Sequence, residues 1–197
     1  MAEWRTEADA AAVADAACRL IGIAARSAIA ERKKFRLVLA GGGTPLATYR
    51  RLANSDQQWK RWELYYGDER CLPAHDPRRN SQMVIETGLA NRVGKHYPIP
   101  TELGAKPAAT GYRELIKGRL PFDLVLLGMG EDGHAASLFG GHDWPEKSVF
   151  AVKNAPKPPP ISMPNRSSRP FRTVASSTPS GTCTALSMGN WKPSSAR

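Results

Sequence analysis

The sequence predicts a doubly wound α/β domain, with a mostly parallel sheet and helices on both faces. Three observations carry that prediction. Short apolar runs recur at residues 35–40, 62–66 and 122–127. Each run stops at glycine: Gly41-Gly42-Gly43, Gly67, and Gly128-Met129-Gly130. Segments of helical character alternate with the runs, and strand, glycine turn and helix in alternation build parallel sheets covered on both sides. In such sheets ligands sit at the carboxyl ends of the strands.

Taken in order, residues 5–32 are alanine-rich, with Val13, Ala17, Leu20, Ile21 and Ala24 at helical spacing, and predict one helix. Residues 35–40 form a strand. Thr44 is then a suitable N-cap and Pro45 a suitable first helical residue for a helix to about residue 53. Residues 62–66 are a second strand. Residues 68–82 are polar and turn-rich, which suits a functional loop. A helix at 81–90, a short strand at 96–99 and a helix at 108–117 follow. Residues 122–127 are the clearest strand, with a helix over 133–139 and a last strand at 148–152. Beyond residue 160 no period of 2 or 3.6 persists. Ser, Thr, Pro, Arg and Gly dominate residues 161–197, so two regions are expected: a domain over 1–160 and a basic, irregular tail over 161–197.

The chain has 197 residues and a formal net charge of +10. The excess is local. From Lys147 onward there are eight basic residues and no acidic one, leaving 20 basic against 18 acidic residues in 1–146. A nearly balanced body argues against nucleic acid as partner and suits an enzyme that uses a few cations on a phosphorylated small molecule. Cys18, Cys71 and Cys183 are scattered, without CxxC spacing. Neither a disulfide framework nor a metal site is expected, and a cytoplasmic location is. No apolar run reaches the roughly 18–20 residues that span a bilayer, so no membrane association is expected.

Three motifs fall at predicted carboxyl ends. Gly41-Gly42-Gly43-Thr44-Pro45 joins a strand to a helix. Its glycines let backbone approach an anion, and a helix N-terminus offers unpaired N–H groups, so Gly42, Gly43 and Thr44 are candidate phosphate contacts. The loop lacks the Gly-Lys-Ser/Thr ending of a P-loop, and a tight turn with an ordinary cap is the plain alternative. Gly67-Asp68-Glu69-Arg70 follows the second strand. Arg70 offers a planar fork for phosphate, and Asp68 can accept a proton or orient an imidazole. Gly128-Met129-Gly130-Glu131-Asp132-Gly133-His134 follows the most hydrophobic strand. His134 is the side chain best suited to proton transfer near neutrality, with Asp132 beside it. His75 and His142 read as loop residues and His96 as a strand-edge residue. Ala155-Pro156-Lys157-Pro158-Pro159-Pro160 reads as a stiff extended segment that could aim Lys157 at a phosphate.

These residues together resemble the 6-phosphogluconolactonase family, within the glucosamine-6-phosphate isomerase/6-phosphogluconolactonase superfamily. Leu39-Ala40-Gly41-Gly42-Gly43-Thr44-Pro45 is similar to its Ser-Gly-Gly-Ser-Thr-Pro loop. Tyr66-Gly67-Asp68-Glu69-Arg70, followed by Asp76 and Asn80, resembles its Asp-Glu-Arg segment with the downstream Asp and Asn. Residues 122–139 resemble its longest signature, and residues 155–160 its Pro-Lys-Pro-Pro run. Four motifs in the family's order span roughly residues 1–160. The resemblance implies a Rossmann-type fold shared with the deaminases. It also implies hydrolysis of 6-phospho-D-glucono-1,5-lactone in the oxidative pentose phosphate pathway, with no required cofactor. His134 is the implied base, with Asp68 or Asp132 holding it. Arg70, Asn80, Lys157 and the Gly42–Thr44 loop are the implied substrate contacts.

Departures accompany the likeness. Gly43 stands where the family has Ser. After Pro160 the family's apolar strand and final helix are missing or altered. The sudden loss of acids and of periodicity leads us to expect a segment translated in a shifted reading frame. Two alternatives follow: a sugar-phosphate isomerase or deaminase of the same fold, or a lactonase-like chain impaired by its ending. Arg70 after Asp68-Glu69, and Ala135-Ala136-Ser137-Leu138-Phe139 after His134, favour the lactonase over the deaminase. Oligomeric state is not legible in the sequence.

Overall fold

A computed structural model describes residues 2–130, 133–139, 141, 145–152, 160–162, 172–177 and 183–188. Asp9 starts the first helix. Its side chain accepts a hydrogen bond from Ala12 N at 2.8 Å, so helix α1 runs Ala10–Arg32. Val13, Ala17, Ile21, Ala24 and Ala28 form its buried stripe. The helix stops at Lys33, whose φ of 62° is left-handed and whose N–H returns to Ile29 O at 2.9 Å. The expected start at residue 5 gives way to a strand, β1, at Ala2–Thr6, because the Asp9 cap fixes where the helix begins.

The main sheet contains β2 (Phe35–Leu39), β3 (Trp62–Tyr66), β5 (Lys95–His96), β6 (Leu124–Met129), β9 (Arg172–Ser177) and β10 (Cys183–Met188) together with β1. Its order is β1-β10-β9-β6-β2-β3-β5. The five strands from β9 to β5 pair in parallel. β10 and β1 pair antiparallel at one edge. A second sheet, antiparallel, orders β4 (Asp68–Arg70), β8 (Pro160–Ser162) and β7 (Phe150–Ala151) as β4-β8-β7. Among the described residues the other α-helices are α2 (Gly43–Ala53), α3 (Asn80–Glu86), α4 (Leu89–Arg92) and α5 (Ala105–Lys117).

Consecutive strand residues point to opposite faces. Leu37 and Val38 of β2 are both buried, as are Leu124, Val125 and Leu126 of β6. The sheet is therefore covered on both faces at β2 and β6, as parallel sheets are. Phe35 meets Trp62 edge-on at 4.8 Å, and Trp59 lies 4.8 Å from Trp62. This aromatic cluster gathers where β2 and β3 begin, which leaves their carboxyl ends for other work. No helix among the described residues is long and apolar enough to cross a membrane.

The structure corrects several element boundaries. The helix expected at 81–90 is two, α3 and α4, divided at Gly88, which takes φ 77°. The loop expected at 68–82 begins with the strand β4. The strand expected at 148–152 is two residues, β7. Within residues 161–197, expected to be irregular throughout, two six-residue strands occur. β9 pairs with β6 on the side away from β2, and β10 returns beside β9. Thr173, Val174, Thr184 and Ala185 are compatible with such strands, and the open flank of β6 supplies hydrogen-bond partners that a reading by periodicity overlooks. Where the resemblance implies a strand and then a helix, the described residues show a strand and then another strand.

Candidate functional site

Three glycine turns meet at the carboxyl ends of β2, β3 and β6. Gly67 N donates to Leu39 O at 2.9 Å, tying the second turn to the first strand. A Cβ on Gly128 would lie 3.6 Å from Gly41 O, so the third turn packs against the first. Between them lies a cavity of about 220 Å³. Gly42, Gly43, Thr44, Asp68, Arg70, Asn80 and His134 all line it. These are seven of the nine residues singled out from the sequence. Asp132 and Lys157 lie outside the described residues, as does His142.

The first wall is the start of α2. Gly42, not Thr44, is its N-cap, with φ 111° that favours glycine. The correction has a local cause: the helix already begins at Gly43, which places Thr44 inside the first turn, where its carbonyl accepts from Thr48 Oγ1 at 3.0 Å. First-turn N–H groups have no partner within their helix. A Cβ on Gly43 would meet nothing within 4 Å, so the missing side chain there is not a steric demand.

Tyr49 fixes this wall from behind. Fully buried on α2, its Oη donates to Ala40 O at 2.8 Å and accepts from Ala40 N at 2.9 Å. Burial pushes its pKa well above the ordinary tyrosine value. Tyr49→Phe leaves both Ala40 groups without their partner and is expected to cost about 1–3 kcal/mol. An unchanged urea midpoint would show that the hydroxyl contributes nothing.

The second wall is β4. Alternation along the strand separates its side chains: Asp68 and Arg70 line the cavity, while Glu69 turns away. Asp68 is 8% exposed. Its Oδ1 accepts from Asn80 Nδ2 at 2.9 Å and its Oδ2 from Ser137 Oγ at 2.6 Å. Burial raises its pKa, opposed by the Ser137 hydroxyl and by the nearby Arg70 and His134 charges. Glu69 is fully buried and accepts from Arg70 N at 2.9 Å, Asn80 N at 2.6 Å and Ser81 N at 2.8 Å. Thr101 Oγ1 donates to Arg70 O at 2.7 Å, bracing the end of the strand. Asp76 is not among the lining residues. Arg78 binds it through its guanidinium and backbone N–H, which holds its carboxyl down at about 2.

The third wall carries His134, which is partly exposed. The helix expected at 133–139 is absent. Gly130 N donates to His134 O at 2.8 Å, Met129 bridges Ala135, and Ala136 takes φ 53°. The glycines permit a folded-back turn, and the Ser137–Asp68 bond draws it toward β4 instead of along a helix axis. The His134 ring lies 4.8 Å from that of Phe139. His96 is at the sheet edge, as expected, with Nε2 2.6 Å from Tyr66 Oη and its pKa lowered by burial. His75 sits in the loop before α3.

Three residues at this site were not picked out from sequence. Strand alternation could have separated Glu69 from its neighbours. Ser137 was hidden by the expected helix. Tyr49 gave no signal, since an aromatic on an amphipathic helix reads as core.

The fold and cavity define an α/β protein with a glycine-rich helix start, an imidazole and a buried carboxyl group at the carboxyl edge of a parallel sheet. The sequence profile described as glucosamine-6-phosphate isomerases/6-phosphogluconolactonase matches residues 8–177. The chain belongs to that family. It is 31% identical over 173 residues to a 6-phosphogluconolactonase of Mycobacterium leprae, covering 77% of this chain and 70% of the relative. It is 33% identical over 153 residues to 6-phosphogluconolactonase 3, chloroplastic, of Arabidopsis thaliana, covering 66% of this chain. The chain spans about half the length of the plant relatives, 47% of this one. Among solved structures, 6-phosphogluconolactonase from Thermotoga maritima superposes with a TM-score of 0.69 at 30% identity, covering 77% of this chain and 72% of that one.

Proposed function

We propose that this chain hydrolyses 6-phospho-D-glucono-1,5-lactone to 6-phospho-D-gluconate. One observation carries the reading: His134 and the buried Asp68 share a single cavity with Arg70 and the N-terminus of α2. The names of the relatives support the substrate. A lactone carbonyl is already electrophilic and its leaving oxygen stays attached, so one base that activates water is sufficient chemistry. His134 takes a proton from water as the water oxygen bonds to the carbonyl carbon. It returns that proton to the ring oxygen as the ring C–O bond breaks. Asp68, held at both oxygens by Asn80 and Ser137, stabilises the imidazolium between those steps. That hold makes Asp68 our assignment over Asp132. Arg70, Lys157 and the Gly42–Thr44 backbone bind the 6-phosphate, so that binding energy remote from the reacting carbon positions it. No cofactor is needed. A cytoplasmic location is our reading, supported by the scattered cysteines.

The test is hydrolysis of fresh lactone by the purified chain, with ammonia release from glucosamine 6-phosphate measured alongside. Ammonia release without lactone hydrolysis would overturn the reading in favour of the deaminase. Failure on both substrates, with a cooperative melt, would favour an impaired chain, for which the β9–β10 ending is the specific ground.

Asp68→Asn separates activity from stability. Because burial raises the folded pKa of Asp68 above the ordinary value, the folded state loses stability relative to the unfolded one as pH rises above about 4. Asparagine removes that pH-dependent penalty. The melting temperature of the variant relative to wild type is expected to rise as pH goes from about 4 to 8. Its kcat should fall about 10–100-fold. A variant that loses stability relative to wild type as pH rises would contradict the assigned environment.

A further inference from the structure

We infer that Glu69 is a positioning residue: its buried carboxylate sets Asn80, and Asn80 sets Asp68 beside His134. The kinetic part of this inference rests on the lactonase reading; the structural part does not. An ionised carboxylate is costly to bury unless hydrogen bonds and a counter-charge surround it. Glu69 has both. Three backbone N–H groups donate to it, and Arg79 Nε lies 3.7 Å from Oε2. Arg79 is itself anchored, through Nη1 to Glu102 at 2.9 Å and Nη2 to Ile99 O at 2.8 Å.

What this arrangement fixes is the beginning of α3. Two of the three N–H donors belong to Asn80 and Ser81, which have no partners within the helix. With its backbone held, the Asn80 side chain spends its Nδ2 group on Asp68 alone, at 3.1 Å to the carbonyl oxygen and 2.9 Å to Oδ1. Gly41 closes off the other side of the amide: a Cβ there would fall 2.2 Å from Asn80 Oδ1. Asp68 offers its second oxygen to Ser137 on the His134 turn. A continuous line therefore runs from Glu69 through Asn80 and Asp68 to the turn that carries His134, and it joins all three glycine motifs. Asn80, expected as a phosphate contact, acts in this line by holding Asp68.

Glu69→Gln keeps size and shape but presents an NH₂ group to backbone donors. The experiment compares wild type, Glu69→Gln, Asn80→Ala and the double variant in the full chain. On lactone, Glu69→Gln is expected to lower kcat about 10–100-fold with KM nearly unchanged. The double variant should be no slower than Asn80→Ala, because both changes break one line. Losses that multiply, or a wild-type kcat, would overturn the inference. A purely structural role would reduce the folded fraction without this non-additivity. A readout independent of turnover is hydrogen exchange at the Asn80 side-chain amide, identified by NMR through its loss in Asn80→Ala. Exchange is expected to be slow in wild type and fast in Glu69→Gln. Unchanged exchange overturns the inference even if the wild type is inert on lactone, an outcome that would separately count against the lactonase reading. Should Glu69→Gln fail to fold, Asn80→Ser removes the Nδ2 donors while keeping the helix start. A folded Asn80→Ser with wild-type kcat overturns the second half of the line.

Discussion

Replacing His134 by alanine is expected to lower kcat on the lactone by about 10²–10⁴-fold, the range a positioned acid–base group contributes. KM should move little, because the phosphate contacts assigned to Arg70 and the α2 N-terminus remain. Stability should be close to wild type. His134 is partly exposed, and its turn is held by backbone bonds, from Gly130 N to His134 O and from Leu138 N to Ala135 O, and by the Ser137–Asp68 bond. The informative comparison is therefore kcat against melting temperature. A folded variant with near-wild-type turnover removes His134 as the base. A joint collapse of activity and melting would instead assign it a structural part.

The second large effect is at Gly41, a residue with no side chain to lose. A Cβ on it would lie 2.2 Å from Asn80 Oδ1 and 2.7 Å from Cγ, well inside contact distance. Asn80 cannot simply swing aside. It is 5% exposed, its N–H is held by Glu69, and its amide is held by Asp68. Gly41→Ala is expected to cost about 1–3 kcal/mol by overpacking. Turnover should fall on the order of 10²-fold, as displacement of reacting groups by about an ångström does. Urea unfolding and kcat/KM measured on the same preparation decide it. On an Asn80→Ala background Gly41→Ala should cost less stability than on wild type, because the room is already made, while turnover stays low because Asp68 has lost its amide partner. Wild-type turnover in Gly41→Ala would show that the loop shifts freely and that the tight packing is incidental.

Much of this architecture was legible because it is written locally. The glycine-terminated runs at residues 35–40, 62–66 and 122–127 marked strands whose carboxyl ends do converge. Motif chemistry singled out Asp68, Arg70 and His134, and all three line one cavity. The illegible part depended on distant partners. Residues 133–139 look helical by composition, but Ser137 bonds to Asp68 across the chain and the segment folds back. Thr44 looks like a cap, but the backbone at Gly42 starts the helix earlier. Residues 172–177 have no periodicity of their own and become a strand through pairing with β6. Glu69 looks like one more charge in a loop until alternation along β4 turns it inward.

The pairing of β4 with β8 has a consequence for how the protein is made. Arg70 lies opposite Pro160 and Asp68 opposite Ser162, so the strand carrying two cavity residues finds its hydrogen-bonded neighbour only in a much later part of the chain. Synthesis runs from the N-terminus at about 5–20 residues per second, and contacts between distant positions form slowly. A nascent chain can therefore lay down β2, β3 and their helices while β4 still lacks its partner. The strand that carries Asp68 and Arg70 therefore acquires its hydrogen-bonded neighbour only after residue 162 has left the ribosome.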